Sequence, residues 1–272
     1  NVTGVQTCAL PICYAPAALA RAPARAADCL YVVGGLYGNP EALDAIEALA
    51  AREPTPPTIV FNGDFHWFDV DARAFAAINT RVLAHTALRG NVETEIARDD
   101  EAAGCGCGYP EFVDDAEVAR SNVIIKRLRE TARGTPAARA QLAALPMYAA
   151  AQVGAVRVAI VHGDGESLAG WGLSREALVS KRHRARAARW FADARADVIA
   201  SSHSCLPVVA ELATPAGARI VVNNGAAGMP NFAGTRHGVI TRIARGAAPV
   251  PSLWSARVKG AHIDALAVHY DH

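Results

Sequence analysis

The sequence predicts an α/β fold on two observations. Short apolar runs of strand character alternate with segments whose apolar residues recur at helical spacing, and almost every such run ends in a polar turn containing glycine or asparagine. In folds of this kind the functional loops gather at the carboxyl ends of the strands. At 272 residues the chain is long enough to bury a sizeable core.

In chain order, Cys29–Val33 is a strand closed by Gly34 and Gly35. Asn39 and Pro40 open a helix with Ala42, Leu43, Ile46 and Leu49 on one face. Pro54 to Pro57 ends it. Thr58–Phe61 is the next strand and runs into Asn62, Gly63 and Asp64; Phe75 to His85 reads as a helix, and Leu88 leads into Arg89, Gly90 and Asn91. From Ile96 to Gln152 the character changes to a mostly helical insertion, with an amphipathic run from Ala116 to Arg133. Strands resume at Val156–Val161, ending at His162, Gly163 and Asp164. A helix over Arg175–Ala196 follows, then a strand over Asp197–Ala200 that closes on Ser201, Ser202, His203, Ser204 and Cys205. Val208–Ala213, Arg219–Val222, Val239–Ile243 and Ala265–Tyr270 complete the β structure, and Asn223, Asn224 and Gly225 close the second of them.

Composition excludes several classes of function. Lys plus Arg number 27 against 26 Asp plus Glu, a formal charge of +1, which leaves no electrostatic footprint for nucleic acid or an acidic membrane. The basic run Lys181–Arg186 falls on the face of a predicted helix and reads as solvated surface. No apolar run approaches the length of a membrane span. Lysine occurs only at Lys126, Lys181 and Lys259, the usage expected of a GC-rich bacterial coding sequence. The expectation is a globular, cytoplasmic protein.

Val2 to Ile12 matches the in-frame translation of a sequencing adapter, so residues 1–13 are set aside as non-native and 14–272 are read as a single domain. Of six cysteines, Cys29, Cys105, Cys107 and Cys205 remain, and four in a chain of this length are expected as reduced thiols. Cys105 and Cys107 lack a partner pair at zinc-finger distance and read as incidental thiols in a glycine-rich loop.

The strand ends carry the chemistry. Asp64, Asn91, His162 and His203 each stand in a short polar signature at a predicted strand terminus. One such signature is an ordinary turn, but in series they bring a carboxylate, an amide and two imidazoles to one rim, a set suited to Zn, Mn or Fe. In order and spacing, Gly35 to Asn39, Gly63–Asp64, Gly90–Asn91, His162 and Ser202 to Cys205 resemble the calcineurin-like metallophosphoesterase family over roughly Leu30 to Ile243. The resemblance implies a two-sheet β-sandwich flanked by helices, with the 96–152 stretch as an insertion. It implies activity on phosphoric esters with divalent metals held at these loops.

The departures are confined to one of the family's two metal sites. Gly35 and Tyr37 stand where the family has Asp and His, and Cys205 where it has the last His. The ligands of the other site, Asp64, Asn91, His162 and His203, are all present. The resemblance therefore implies one divalent metal per chain and a small phosphorylated substrate. Under it, His66 is the candidate base, acid or substitute ligand, and Asn39, Arg89 and Asn224 are candidate substrate contacts, with turn or surface roles as the alternatives. Tyr37, His66 and Cys205 are also candidates for a rebuilt second site. The family's general-acid His after Gly-Asn is absent, since Val92 and Glu93 follow Asn91. Two other readings remain open: a non-catalytic scaffold on the same fold, and a dinucleotide-binding oxidoreductase built on Val32–Gly38, which lacks the usual glycine spacing.

Overall fold

The structure is a computed structural model that describes residues 12–98 and 104–271. Of the segment set aside as non-native, residues 1–11 lie outside the described residues. Among the described residues the elements run α1 (Pro16–Arg21), β1 (Ala24–Ala26), β2 (Cys29–Val33), α2 (Pro40–Ala50), β3 (Thr58–Asn62), α3 (Ala72–Leu83), β4 (Thr86–Leu88) and α4 (Asn91–Ile96). Then come α5 (Asp115–Arg133), α6 (Pro136–Ala144), β5 (Tyr148–Val153), β6 (Val156–Val161), α7 (Arg175–Leu178) and α8 (Lys181–Ala194). The chain closes with β7 (Val198–Ser201), β8 (Val208–Thr214), β9 (Gly217–Asn223), β10 (His237–Ala244), β11 (Trp254–Val258) and β12 (Ala261–His269).

Two six-stranded sheets form, in the orders β1-β5-β6-β7-β9-β8 and β11-β12-β10-β2-β3-β4. Within each, three adjacent strands run parallel: β6, β7 and β9 in one sheet, β2, β3 and β4 in the other, with β4 at the edge. These parallel strands are buried on both faces, which is why they read as unbroken apolar runs. Alternate residues divide between two environments, as the two-residue strand period requires. Leu30, Val32 and Val60 meet Val158, Ile160, Val198 and Val222 between the sheets. Their neighbours Tyr31, Val33 and Phe61 pack under α2, α3 and α5, while Ala159, Val161, Ile199 and Val221 pack against Trp190 and Phe191 of α8. The result is a β-sandwich with helices on both outer faces.

The expected elements are present, with two boundary corrections. β5 is a sheet strand, so the inserted helical region ends before Tyr148 and does not reach Gln152; its Tyr-Ala-Ala-Ala start carries no β-branched residue to mark it. The helix expected over 175–196 is two helices, α7 and α8, divided at Val179 and Ser180. Four short elements, α1, β1, α4 and β11, were not anticipated. The cysteine expectation is corrected too: Cys105 and Cys107 are joined as a disulfide, so only Cys29 and Cys205 are free thiols among the described residues.

The parallel strands of both sheets end at one rim, and their ends are stitched together. The Asn62 side chain, at the end of β3, donates from Nδ2 to the Val161 carbonyl at the end of β6 (2.8 Å). The Ser202 hydroxyl, after β7, donates to the Asn62 carbonyl (3.0 Å).

Candidate metal centre

Asp64, Asn91, His162 and His203 converge at this rim, all buried. His162 Nε2 lies 3.2 Å from Asp64 Oδ2, 3.2 Å from Asn91 Oδ1 and 3.2 Å from His203 Nδ1. Asp64, His162 and His203 offer ligand atoms that all lie within 4.8 Å of one another, an arrangement able to hold a metal ion.

What faces the centre is decided by what each group does at its other end. His162 Nδ1 sits 2.7 Å from the Asn62 carbonyl, which can only accept, so the proton is on Nδ1 and the lone pair of Nε2 faces inward. His203 Nε2 sits 2.8 Å from the Cys107 carbonyl, so by the same argument Nδ1 presents a lone pair. Asn91 Nδ2 donates to the Cys105 carbonyl (3.0 Å), turning its Oδ1 inward. Asp64 Oδ1 accepts from the Val92 N–H (3.1 Å), leaving Oδ2 inward. Four lone-pair atoms thus face one another, an arrangement that a cation satisfies.

The electrostatics agree. Burial opposes charge on Asp64, but His162 beside it holds the carboxyl below its ordinary value. Burial likewise opposes a charged His162, yet the Asp64 carboxylate outweighs it and raises the imidazole; a proton is the smallest cation that answers the arrangement. Burial and the neighbouring His162 push His203 down to about 4, which keeps it neutral and able to ligate.

The local backbone is costly. Asp64 adopts φ 56°, a left-handed conformation that a non-glycine residue holds only when its surroundings impose it. Glu93 imposes it. Its buried carboxylate accepts N–H bonds from Asp64 (2.8 Å), Phe65 (3.0 Å) and Gly90 (2.8 Å), binding the loops after β3 and β4 to each other. Sequence reasoning passed over Glu93, although an acidic residue three positions into a helix that starts at a glycine turn is a capping signal.

Gly35, Tyr37 and Cys205, where the resemblance led us to expect replaced ligands, are found together. Tyr37 Oη lies 2.7 Å from Cys205 Sγ, and a Cβ added at Gly35 would come within 2.3 Å of the Tyr37 ring. The ring of Tyr37 therefore covers the space beside Gly35 where a larger side chain would stand. Tyr37 and Cys205 also hold left-handed backbone, at φ 57° and 58°. Burial raises the Tyr37 hydroxyl well above its ordinary value, which keeps it neutral.

Four further sequence candidates do not reach the centre. His66 is corrected most clearly: it is fully buried, stacked on Phe75 with ring centroids 3.9 Å apart, and bonded to Asp69 (2.9 Å). It is therefore neither a base at the rim nor a ligand of a second site. Asn39 caps α2, accepting from the Ala42 N–H (2.9 Å), and gives Nδ2 to the Gly228 carbonyl (2.9 Å). Arg89 donates to the Ala143 carbonyl (3.2 Å) at the end of α6 and does not line the cleft. Asn224 is buried; in the amide orientation that satisfies both ends it donates to the Ser201 carbonyl (3.1 Å) and accepts from the Gly34 N–H (2.9 Å). All three amide or guanidinium groups bond backbone atoms.

A cleft of about 430 Å³ opens over the centre and reaches from Asp64, Asn91 and His203 out to Tyr109, Trp171 and Met229. Trp171 Nε1 donates to the Cys107 carbonyl (2.9 Å), the same carbonyl that fixes His203, and its ring meets His203 edge-on at 5.3 Å. No helix of the described residues is long and apolar enough to cross a membrane.

No family model matches the chain, and no curated protein matches it. Solved structures do. A hypothetical protein from Pyrococcus horikoshii is similar at 19% identity over 90% of this chain and 89% of its own, with a TM-score of 0.60. A metallophosphoesterase from Sphaerobacter thermophilus is similar at 16% identity over 90% and 89%, with a TM-score of 0.53. At these identities the likeness is one of fold: two sheets flanked by helices, the architecture of calcineurin-like metallophosphoesterases.

Proposed function

We propose that the protein is a hydrolase of phosphate esters, monoesters or diesters, that works with one divalent metal held by Asp64, Asn91, His162 and His203. The observation that carries this reading is the inward convergence of four lone-pair atoms, each fixed by a bond at its other end. Two imidazole nitrogens with two oxygens suit Mn, Zn or Fe. The fold neighbour from Sphaerobacter thermophilus, a metallophosphoesterase, supports the same class.

When bound, such an ion polarises a phosphoryl oxygen and acidifies a water molecule. The chain's own residues supply the frame. The Asn62 and Cys107 carbonyls fix the two imidazole tautomers, the Val92 N–H orients Asp64, and Glu93 clamps the loops that carry Asp64 and Asn91. Trp171 and Tyr109 wall the cleft and limit water at the centre.

One observation favours a second reading, a non-catalytic scaffold that keeps the fold. Gly35, Tyr37 and Cys205 pack on one another where the family's other metal would need ligands, so no second cation helps to clamp a phosphoryl group. The two readings separate on activity. Full-length protein stripped by chelator and reloaded with Mn, Zn or Fe is expected to hydrolyse p-nitrophenyl phosphate or its bis ester, and the His162→Ala variant to do neither. Reloaded protein that binds metal and turns over no phosphate ester would leave the scaffold.

A further inference from the structure

The walls of the cleft are aromatic and come from four separate segments. Tyr37 follows β2, Trp67 and Phe68 follow β3, Tyr109 and Phe112 precede α5, and Trp171 lies between β6 and α7. The rings touch one another: Tyr109 and Phe112 meet Trp171 at 5.9 and 6.4 Å, and Phe68 meets Tyr37 at 5.8 Å. The apolar surface continues outward at the mouth, where Phe112 is 63% exposed, Phe68 49% and Met229 41%. Large apolar side chains gathered and exposed around one opening mark a binding surface.

The charge of the cleft is unusual for a phosphate site. No lysine or arginine lines it among the described residues, whereas three carboxylates, Asp64, Glu117 and Glu176, do. Two arginines outside the lining are engaged with the outer pair: Arg120 with Glu117 (2.5 Å) and Arg175 with Glu176 (3.3 Å). A phosphate dianion is ordinarily met by arginine or lysine forks, and none is offered. One divalent ion beside the Asp64 carboxylate is the cationic charge a ligand would meet here, which suits a single negative charge better than a dianion.

We propose that this cleft selects a singly charged phosphodiester whose ester group is aromatic or otherwise apolar and carries no further negative charge, in preference to phosphomonoesters, sugar phosphates and nucleoside polyphosphates. This rests on the metal-dependent hydrolase reading and names its substrate class. Hydrolysis of such a diester forms one P–O bond to a water oxygen and breaks the P–O bond to the departing phenol or alcohol. One water proton goes to the departing oxygen, and the other remains on the product or is released as it ionises.

The test uses full-length, metal-loaded protein and two probes, diphenyl phosphate and phenyl phosphate, whose binding is read by quenching of tryptophan fluorescence. Diphenyl phosphate is expected to bind at least about tenfold tighter. Phe112→Ala, at an exposed position where folding is not at risk, weakens it, and Phe112→Arg raises the affinity for phenyl phosphate by about tenfold. In turnover, bis(p-nitrophenyl) phosphate is expected to exceed p-nitrophenyl phosphate in kcat/KM by a similar factor. Equal or tighter binding of phenyl phosphate, or binding of neither probe, overturns the proposal. Tighter binding of diphenyl phosphate with turnover of neither ester would remove the hydrolase reading and leave the selectivity standing.

Discussion

Tyr37 Oη and Cys205 Sγ lie 2.7 Å apart, in the cleft that Asp64 and His203 also line. With Gly35 they form one packed unit: the ring of Tyr37 covers Gly35, and its hydroxyl closes on the thiol. The three positions thus make one structural feature, a plug of side chains beside the candidate metal centre. Glycine at 35 and tyrosine at 37 depend on each other, because any Cβ at 35 meets the ring.

Gly35→Ala is therefore expected to destabilise the protein by about 1–3 kcal/mol through overpacking. The double variant Gly35→Ala, Tyr37→Ala should recover part of the loss, since the clashing ring is gone. Denaturant unfolding of the two single variants and the double gives the coupling energy directly. Additive losses would show that the Tyr37 ring does not stand where the structure has it.

Glu93→Ala removes the acceptor of three buried backbone N–H groups and the clamp between the Asp64 and Asn91 loops. The expected cost is several kcal/mol, about 1.5–3 for a hydrogen bond to a charged group, with the unpaired donors adding to it. Glu93→Gln keeps one acceptor oxygen and should lose less. Calorimetric metal titration of both variants is expected to show weakened binding in the same order, although Glu93 is not itself a ligand.

Far from the rim, Arg242 of β10 makes a bidentate pair with Glu53 (2.6 and 3.0 Å) and a third contact with Asp264 (2.8 Å), all buried. Replacing Arg242 by Ala strands two buried carboxylates, and a loss of about 3–5 kcal/mol in unfolding free energy is expected.

The same network sets an acid dependence. Burial alone would raise the Glu53 carboxyl, but its bonds to Arg242 and Tyr31 hold it below the ordinary value. A depressed carboxyl contributes stability that is fully present above its unfolded pKa and is lost as pH falls through its folded one. Wild-type unfolding free energy should thus fall below about pH 4. The Glu53→Gln variant should start lower and show a shallower decline. An equally steep decline in the variant would place the acid sensitivity elsewhere.

The fold was legible because its strands are buried on both faces and announce themselves as Val- and Ile-rich runs closed by turns, as at Val156–Val161 before His162. β5 was hidden because Tyr148–Gln152 is largely alanine, which favours helix and is sparse in strands, so the sheet overrides the local preference. The four metal-facing residues were legible for the same reason as the strands: each stands immediately at, or just past, a strand end. Asn39, Arg89 and Asn224 share that neighbourhood but are turned to backbone partners, which residue type and position do not reveal. His66 illustrates the limit, since two residues past Asp64 the chain has turned into the core beneath α3. The aromatic wall was invisible in sequence, because its rings are drawn from well-separated segments and only the fold brings Trp171 to Tyr109.

The most direct test of the account is metal content per chain by elemental analysis, on full-length protein incubated with Mn, Zn or Fe and freed of excess, beside His162→Ala. One equivalent in the wild type and none in the variant is the predicted result. Two equivalents would contradict the plug of Gly35, Tyr37 and Cys205, and none would contradict the inward lone pairs on which the proposed function stands.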